Sequence, residues 1–244
     1  YPCDYCDYCA KLMPPMDVPD KVLSSEPVID QFAIQSFLDE VQYPLHYLDF
    51  ETFMPALPMF DESHSYQQIP FQYSLHVQRE PGGEIEHFEY LAPSDGAIDP
   101  RIGLIEQLIR DTAGAKTIIV YNIGFEPTRI REMAHDFPDY AKKLLCLPDL
   151  MLDLMVPFHR KHITTETMEG SYSIKKVLPA LCPEFSYKDL PINNGGDASA
   201  SFLATYDCQN PEEVKEIRNN LLKYCGLDTL AMVEILKKMK ELTL

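Results

Sequence analysis

The clearest hydrophobic pattern in the chain begins at Leu45, where three strand-like segments follow one another. LHYLDFETF, IPFQYSLHVQ and EIEHFEYLA are rich in β-branched and aromatic residues, and turn-forming proline and glycine separate them. They predict three consecutive β-strands in an antiparallel meander. Farther along, the short apolar run TIIVY is typical of a buried strand.

Helices are predicted around this buried strand and at the end of the chain. Residues 98–112 place apolar side chains on one helical face, and SIKKVLPAL forms a second amphipathic helix. Residues 193–196 predict a loop. Residues 210–213, Asn-Pro-Glu-Glu, indicate a helix start, because Asn caps the first turn, Pro suits the first position and acids suit the positive dipole end.

The order of these elements predicts an α/β fold with a mixed central sheet flanked by helices. A chain of 244 residues with 45% hydrophobic content can build one sizeable core. We assign residues 41–244 to this domain and residues 1–40 to an N-terminal tail and linker, which includes a short helix within Val28–Val41. Because the chain opens with Tyr1 inside a cysteine cluster, we expect it to be a fragment that lacks an upstream domain.

The hydrophobic segments, net charge and cysteines of the chain exclude some classes of function. Neither a membrane span nor a signal peptide is visible, so we expect a soluble protein with no membrane partner. The formal net charge of −17 argues against a protein that coats nucleic acid by bulk electrostatics, but clustered carboxylates can be neutralised by divalent ions. The seven cysteines are odd in number, and four sit singly in apolar or helical surroundings, which fits a reducing cytoplasm: Cys146, Cys182, Cys208 and Cys225.

Asp49 and Glu51 are the first candidate site residues. They point to the same face of the strand because successive side chains alternate. Two like charges beside an apolar strand are unfavourable unless a cation lies between them, and hard divalent cations are the usual partners. For this pair alone, a solvated strand face with two acids remains the commoner explanation.

Two later segments add candidates. Glu126 precedes Pro127, which disfavours helical angles at Glu126, so we expect Glu126 at a strand-to-helix junction. There it could bind a ligand or simply be favoured by the helix dipole. Tyr224 and Asp228 are four residues apart and share one helical face, although an ordinary aromatic and an exposed acid would look the same.

In order and spacing, these residues resemble the DEDDy subgroup of 3'-to-5' exonucleases, which have an RNase H-like fold. The resemblance covers about residues 45–244. The three family motifs match at Asp49 and Glu51, at Asn122 and Glu126, and at Tyr224 and Asp228.

One position departs from this family. The family normally has Asp where this chain has Glu126, whose extra methylene alters the site geometry. Asp149 also resembles a family acid, but a capping or hydrogen-bonding role explains it equally well, and we leave it outside the site.

The resemblance implies hydrolysis of phosphodiester bonds with two Mg²⁺ or Mn²⁺ ions. It implies that Tyr224 orients the attacking water and that Thr52 and Asn122 contact the substrate. The implied partner is nucleic acid, with DNA favoured over RNA. Two alternatives remain. One is a catalytically degenerate module that binds nucleic acid or protein, and the other is a structural domain that binds a basic partner. The implied metal ligands are Asp49, Glu51, Glu126 and Asp228.

The N-terminal cysteines form a separate motif. Cys3, Cys6 and Cys9 are spaced as in a ferredoxin-type run, but an iron–sulfur site usually takes four ligands. We therefore expect a cluster only together with the missing upstream region. A closer resemblance, carried by YPCDYCDYC, LDFETF, PFQYSLH, VYNIGFE and YCGLDTLAM, is to a bacterial exonuclease-like domain behind a RecB-like nuclease region with an iron–sulfur cluster.

Overall fold

A computed structural model describes residues 27–187 and 190–243. The N-terminal cysteine motif lies outside these residues. The helices and strands in chain order are β1 (Val28–Ile29), α1 (Gln31–Leu38), β2 (Leu45–Phe53), β3 (Ile69–Gln78), β4 (Ile85–Leu91), α2 (Pro100–Asp111), β5 (Thr117–Val120), α3 (Glu126–Asp136), α4 (Pro138–Leu144), β6 (Met151–Asp153), α5 (Val156–His159), β7 (Ile163–Thr164), α6 (Ile174–Leu181), α7 (Gly195–Asp207) and α8 (Pro211–Glu241).

The centre is a mixed five-stranded sheet in the order β4-β3-β2-β5-β6. β2, β3 and β4 pair antiparallel, which confirms the predicted meander. β5 pairs parallel with β2, and β6 pairs parallel with β5. β1 and β7 form a separate two-stranded sheet. The predicted α/β architecture with a mixed sheet and flanking helices is confirmed.

Alternation along β2 divides its side chains between the two faces of the sheet. Leu48 and Phe50 are buried in the core that α2, α3 and α4 cover. Tyr47 is buried on the opposite face, in the core that α6, α7 and α8 cover. Asp49 and Glu51 share the face of Tyr47, as the alternation predicts, and so they point toward α8.

The long helix α8 begins as predicted. The Asn210 side chain accepts a hydrogen bond from the Glu212 backbone N–H at 3.1 Å, and Pro211 occupies the first helical position. The helix runs for 31 residues, about 46 Å at 1.5 Å per residue, across β2 and β3. The predicted helix within Val28–Val41 forms as α1, and its Ile34 and Phe37 are buried in the core beneath α8.

Helix α7 begins inside the segment predicted as a loop. Asn194 caps it by accepting a hydrogen bond from the Asp197 backbone N–H at 2.9 Å, so the helix starts at Gly195. In the described part of the chain, no helix is both long and apolar enough to cross a membrane. Four cysteines of that part are free thiols: Cys146, Cys182, Cys208 and Cys225.

Candidate functional site

A cleft of about 500 Å³ opens where β2 and β5 end. Because these strands are parallel, their carboxyl ends meet at the same edge of the sheet, where α/β proteins commonly bind ligands. The start of α3 and the middle of α8 form further walls. All seven site residues predicted from the sequence line this cleft: Asp49, Glu51, Thr52, Asn122, Glu126, Tyr224 and Asp228.

Local structure explains how the strand residues reach the cleft. Asp49 and Glu51 point the same way along β2, and the pairing of β2 with β3 shifts register between Glu51 and Thr52. Such a β-bulge redirects side chains at a strand end. Thr52 consequently lines the cleft, and its hydroxyl donates a hydrogen bond to Gln68 Oε1.

The remaining predicted residues come from helices and one loop. Glu126 is the first residue of α3, at the strand-to-helix junction predicted for it. Asn122 lies in the loop before α3 and has a φ of 79°, a left-handed conformation that Asn tolerates better than most residues. Tyr224 and Asp228 are one turn apart on α8 and both face the cleft, as their spacing predicts.

Asp49, Glu51, Glu126 and Asp228, called the cleft carboxylates below, are held in an environment that disfavours their charge. Loss of hydration is the largest cause, and it raises the pKa of Glu51 and of Glu126 to about 8 and that of Asp228 to about 6. Burial, and then repulsion by the other three carboxylates, raises the pKa of Asp49 well above its usual range. The cluster is therefore unfavourable without added positive charge.

One oxygen of the Glu126 carboxylate is buried without a hydrogen-bond partner in the described residues. The side chain is only 2% exposed, and no group in the described residues forms a hydrogen bond with Oε2. Buried polar atoms nearly always have partners, so an orphaned carboxylate oxygen on a residue that lines a cleft fits an ion or ligand bound there.

Sequence patterns did not identify two residues that contact the site. Tyr187, in the loop after α6, is buried and donates a hydrogen bond to Asp228 Oδ1 at 2.8 Å. Lys175, on α6, donates to the Tyr224 hydroxyl at 3.2 Å and to the carbonyl of Asn193. Of the described residues that line the cleft, Lys175 alone carries a Lys, Arg or His side chain.

Asp153 is a third residue that the sequence analysis missed. It lies at the end of β6, where Oδ1 accepts from the Asn122 and Met155 backbone N–H groups at 3.0 and 2.9 Å, and Oδ2 accepts from the Ile123 N–H at 3.1 Å. It thereby holds the loop that leads to α3. Asp149, in the same PDLMLDL segment, is exposed and does not line the cleft.

Cys225 adds a sulfur atom to the carboxylate cluster. Its thiol is buried on α8 beside Tyr224, with Sγ 3.6 Å from Asp49 Oδ2. One ligand atom from each of Asp49, Glu51 and Cys225 lies within 4.8 Å of the other two. These three side chains could bind one metal ion together.

Comparison with protein families gives a match at residues 46–173, to the family described as domain of unknown function DUF2779. The chain belongs to this family. The segment matched to the DUF2779 family contains Asp49, Glu51 and Glu126, and it ends before α8 supplies Tyr224 and Asp228.

Three curated mycoplasma and ureaplasma proteins are similar to this DUF2779 chain. Uncharacterized protein MG366 of Mycoplasma genitalium is 27% identical over 215 residues, 80% of this chain and 32% of that protein. Its Mycoplasma pneumoniae homolog is 28% identical over 209 residues, 78% of this chain and 31% of that protein. Uncharacterized protein UU173 of Ureaplasma parvum is 27% identical over 217 residues, 78% of this chain and 30% of that protein. The chain spans about a third of the length of these relatives, and no solved structure matches it.

Proposed function

We propose that this chain is a metal-dependent 3'-to-5' exonuclease of RNase H-like fold that hydrolyses the phosphodiester bonds of nucleic acid. The observation that carries the proposal is the convergence of the four cleft carboxylates, from β2, α3 and α8, on one concave site. Their order and spacing match the DEDDy motifs, and the meander followed by parallel strands has the arrangement that the fold implies.

The cleft carboxylates fit two divalent cations. Burial is the main cause of their raised pKa values, so four ionised carboxylates are unfavourable there without added cations, and Glu126 Oε2 has no hydrogen-bond partner in the described residues. Carboxylate oxygens suit Mg²⁺ or Mn²⁺. When bound, a pair of such ions stabilises the attacking and leaving oxygens of an in-line displacement.

The other side chains of the cleft have roles that follow from their contacts. Tyr224 accepts a hydrogen bond from Lys175, and a hydrogen bond from its own hydroxyl to Asp228 partly offsets the rise that burial causes in the pKa of that acid. In the proposed reaction, this hydroxyl would orient a water molecule beside Asp228. Tyr187 fixes the carboxylate of Asp228. Thr52 and Asn122 lie on the wall of the cleft, where they would contact the nucleotide beside the scissile bond.

The partners follow from the same chemistry. The substrate is nucleic acid, with DNA favoured over RNA, and the Lys175 ammonium is the cleft group that would attract a phosphate. A nuclease-like domain upstream in the same polypeptide, with an iron–sulfur cluster that includes Cys3, Cys6 and Cys9, is part of the proposal. The relatives extend well beyond the matched segment, which is compatible with additional domains.

A catalytically degenerate module is the second candidate. Glu126 favours the degenerate module, since its side chain is one methylene longer than the Asp that the DEDDy family has at this position. That candidate predicts ion binding at the cleft carboxylates without cleavage of any nucleic acid.

A cleavage assay tests the proposal. Single-stranded DNA and RNA labelled at the 5' end are incubated with the protein and Mn²⁺, with a chelator and with an Asp228→Asn variant. We expect products that shorten from the 3' end with Mn²⁺ alone. Absence of cleavage of both substrates, in a protein that binds Mn²⁺, would favour the degenerate module.

Thermal unfolding tests whether ions bind at all. An ion that binds only the folded state stabilises it, by about 2.7 kcal/mol when its concentration is 100 times the dissociation constant. Millimolar Mn²⁺ should therefore raise the melting temperature. The increase should be much smaller after Asp49→Asn, and equal increases in both proteins would contradict the proposed site.

A further inference from the structure

The sulfur of Cys225 is close enough to Asp49 for both to coordinate one ion. A tetrahedral zinc ion has Zn–S and Zn–O distances of about 2.3 and 2.0 Å, which place sulfur and oxygen about 3.5 Å apart. The observed separation of Cys225 Sγ and Asp49 Oδ2 is 3.6 Å. Without metal, the Cys225 thiol donates a hydrogen bond to Asp49 Oδ2 across this distance, so an ion that replaces the thiol proton requires little movement of either atom.

Glu51 supplies the third ligand. Its carboxylate lies within 4.8 Å of the ligand atoms of Asp49 and Cys225, so a small side-chain rotation completes a three-ligand set. Three protein ligands with an open fourth position are typical of exchangeable zinc sites. β2 and α8 hold the three side chains from two directions, which makes the set part of the tertiary structure and not of one local segment.

A separate observation concerns the cleft beside these three residues, where Lys175 is the single cationic side chain among the described lining residues. Glu126 lines the cleft, and its buried Oε2 has no hydrogen-bond partner in the described residues. The ammonium of Lys175 contacts Asn193 and the Tyr224 hydroxyl, and no ion pair of the described chain involves a cleft carboxylate. The carboxylates therefore favour a bound cation. Because Cys225 supplies sulfur, it influences which kind of cation binds.

We propose that Asp49, Glu51 and Cys225 form a mixed sulfur–oxygen site for a zinc-class ion, and that this ion excludes Mg²⁺ or Mn²⁺ from Asp49. The exclusion rests on the proposed function. Sulfur ligands select zinc-class ions, whereas Mg²⁺ prefers oxygen alone. When the metal–sulfur bond forms, the thiol proton passes to solvent and the sulfur donates its electron pair as a thiolate. Zinc-class ions would consequently inhibit an exonuclease that Mg²⁺ or Mn²⁺ activates.

Cadmium provides a direct test, because its bond to a thiolate absorbs in the ultraviolet. Every protein compared is the full chain with Cys3, Cys6 and Cys9 replaced by Ser, so that these thiols do not contribute. Titration with Cd²⁺ should give a thiolate band that Cys225→Ser abolishes. Cys182→Ser is the matched control, since Cys182 is also buried but its Sγ contacts the Glu234 carbonyl. It should keep the band.

Affinity gives a second measurement. Cd²⁺ should bind at least about 10- to 100-fold more weakly to Cys225→Ser, the loss that even an outer-shell partner can cause. If this variant does not fold, Cys225→Ala is measured instead. A band that persists without the Cys225 thiol, or equal Cd²⁺ affinity in the variant and the Cys182→Ser control, would overturn the inference.

The outcomes separate this inference from the proposed function. Cleavage with Mn²⁺ but no Cys225-dependent cadmium band would overturn the zinc-class site and leave the exonuclease intact. A Cys225-dependent band in a protein that cleaves neither DNA nor RNA would support the mixed-ligand site and contradict the exonuclease.

Discussion

Two clusters of acidic residues in this protein are balanced in opposite ways. At the start of α2, the guanidinium of Arg101 is fully buried and pairs with Asp99 at 2.7 Å and with Asp136 at 2.8 Å. It also donates to the Asp61 carbonyl and lies 4.8 Å from the centre of the Phe137 ring. In the cleft, Glu51, Glu126 and Asp228 are buried, whereas Asp99 and Asp136 are half-buried, and the described chain gives the cleft carboxylates no ion pair.

The two clusters differ in whether the folded chain itself supplies the cation that balances the acids. In the Arg101 cluster, cation and acids are both encoded in the chain, so the charges are balanced as soon as the protein folds. The cleft carboxylates have no such ion pair in the described chain, and the proposed ions would supply the balancing charge. The two clusters differ most clearly in the presence or absence of a paired guanidinium.

Removing Arg101 should have the largest effect on stability. Arg101→Met conserves much of the side-chain volume but leaves two acids without their partner, which typically costs about 3–5 kcal/mol for a buried pair. Urea unfolding measures the loss. Arg79→Met is the control, because the Arg79–Glu86 pair is exposed and its removal should change stability little. Equal losses in the two variants would contradict the comparison.

Removing one cleft carboxylate should lower activity without lowering the stability of the metal-free protein. Asp49→Asn relieves repulsion, so the metal-free variant should be at least as stable as the wild type. Cleavage should fall about a thousandfold, since several kcal/mol of transition-state stabilisation are lost and each 1.36 kcal/mol is worth a factor of ten. Chelator-treated melting curves and single-turnover rates measure the two effects. A variant that is both less stable and fully active would show that Asp49 has a structural role.

The effect of pH should differ with and without metal. Glu51 and Glu126 titrate near 4.5 when unfolded, and their pKa values rise to about 8 in the folded protein. Below pH 4.5 both states are protonated and the stabilisation is complete, and between pH 4.5 and 8 only the folded state keeps these protons, so stability falls as pH rises. The metal-free protein should melt at least about 5 °C lower at pH 8 than at pH 5.5, or roughly 2 kcal/mol for this size.

Saturating Mn²⁺ is the matched condition for the pH experiment. Bound ions supply the missing charge, so the melting temperature should depend less on pH when Mn²⁺ is present. Glu126→Gln should also flatten the metal-free profile, because the amide does not titrate. The same steep fall with pH in all three samples would assign the dependence to other groups.

The sequence predicts the strands and the cleft residues that local periodicity specifies. Alternation along β2 places Asp49 and Glu51 on one face, and helical spacing pairs Tyr224 with Asp228. The start of α7 escapes such rules because Gly195 and Gly196 are poor helix formers and the helix depends on its Asn194 cap. Strand alternation and helical spacing are local properties of the chain, and so they can be predicted without the tertiary structure.

Contacts between distant segments follow from the folded structure alone. Tyr187 reaches Asp228 across 41 positions, and no spacing rule pairs a loop tyrosine with a helical acid. Lys175 looked like an ordinary member of an amphipathic helix, and Cys225 like a thiol in apolar surroundings. Their roles come from the packing of α6 and α8 around β2, which single-segment patterns do not encode.

The smallest expected effect is that of Tyr224→Phe, which removes one hydroxyl from the cleft and conserves nearly all packing. Lys175 donates to this hydroxyl at 3.2 Å, and the hydroxyl also hydrogen-bonds to the Asp228 carboxylate, so it is placed to position water beside a proposed metal ligand. The single-turnover rate should fall at least about tenfold, equivalent to roughly 1.4 kcal/mol, because positioning contributes to the transition state. Mn²⁺ affinity should stay unchanged, since Tyr224 is not among the proposed ligands.

Tyr206→Phe is the control, because Tyr206 lies outside the cleft and its hydroxyl has no hydrogen-bond partner in the described residues. A loss of stability at Tyr224 without any loss of rate would make it a structural residue, comparable to the Arg101 cluster and not to the cleft.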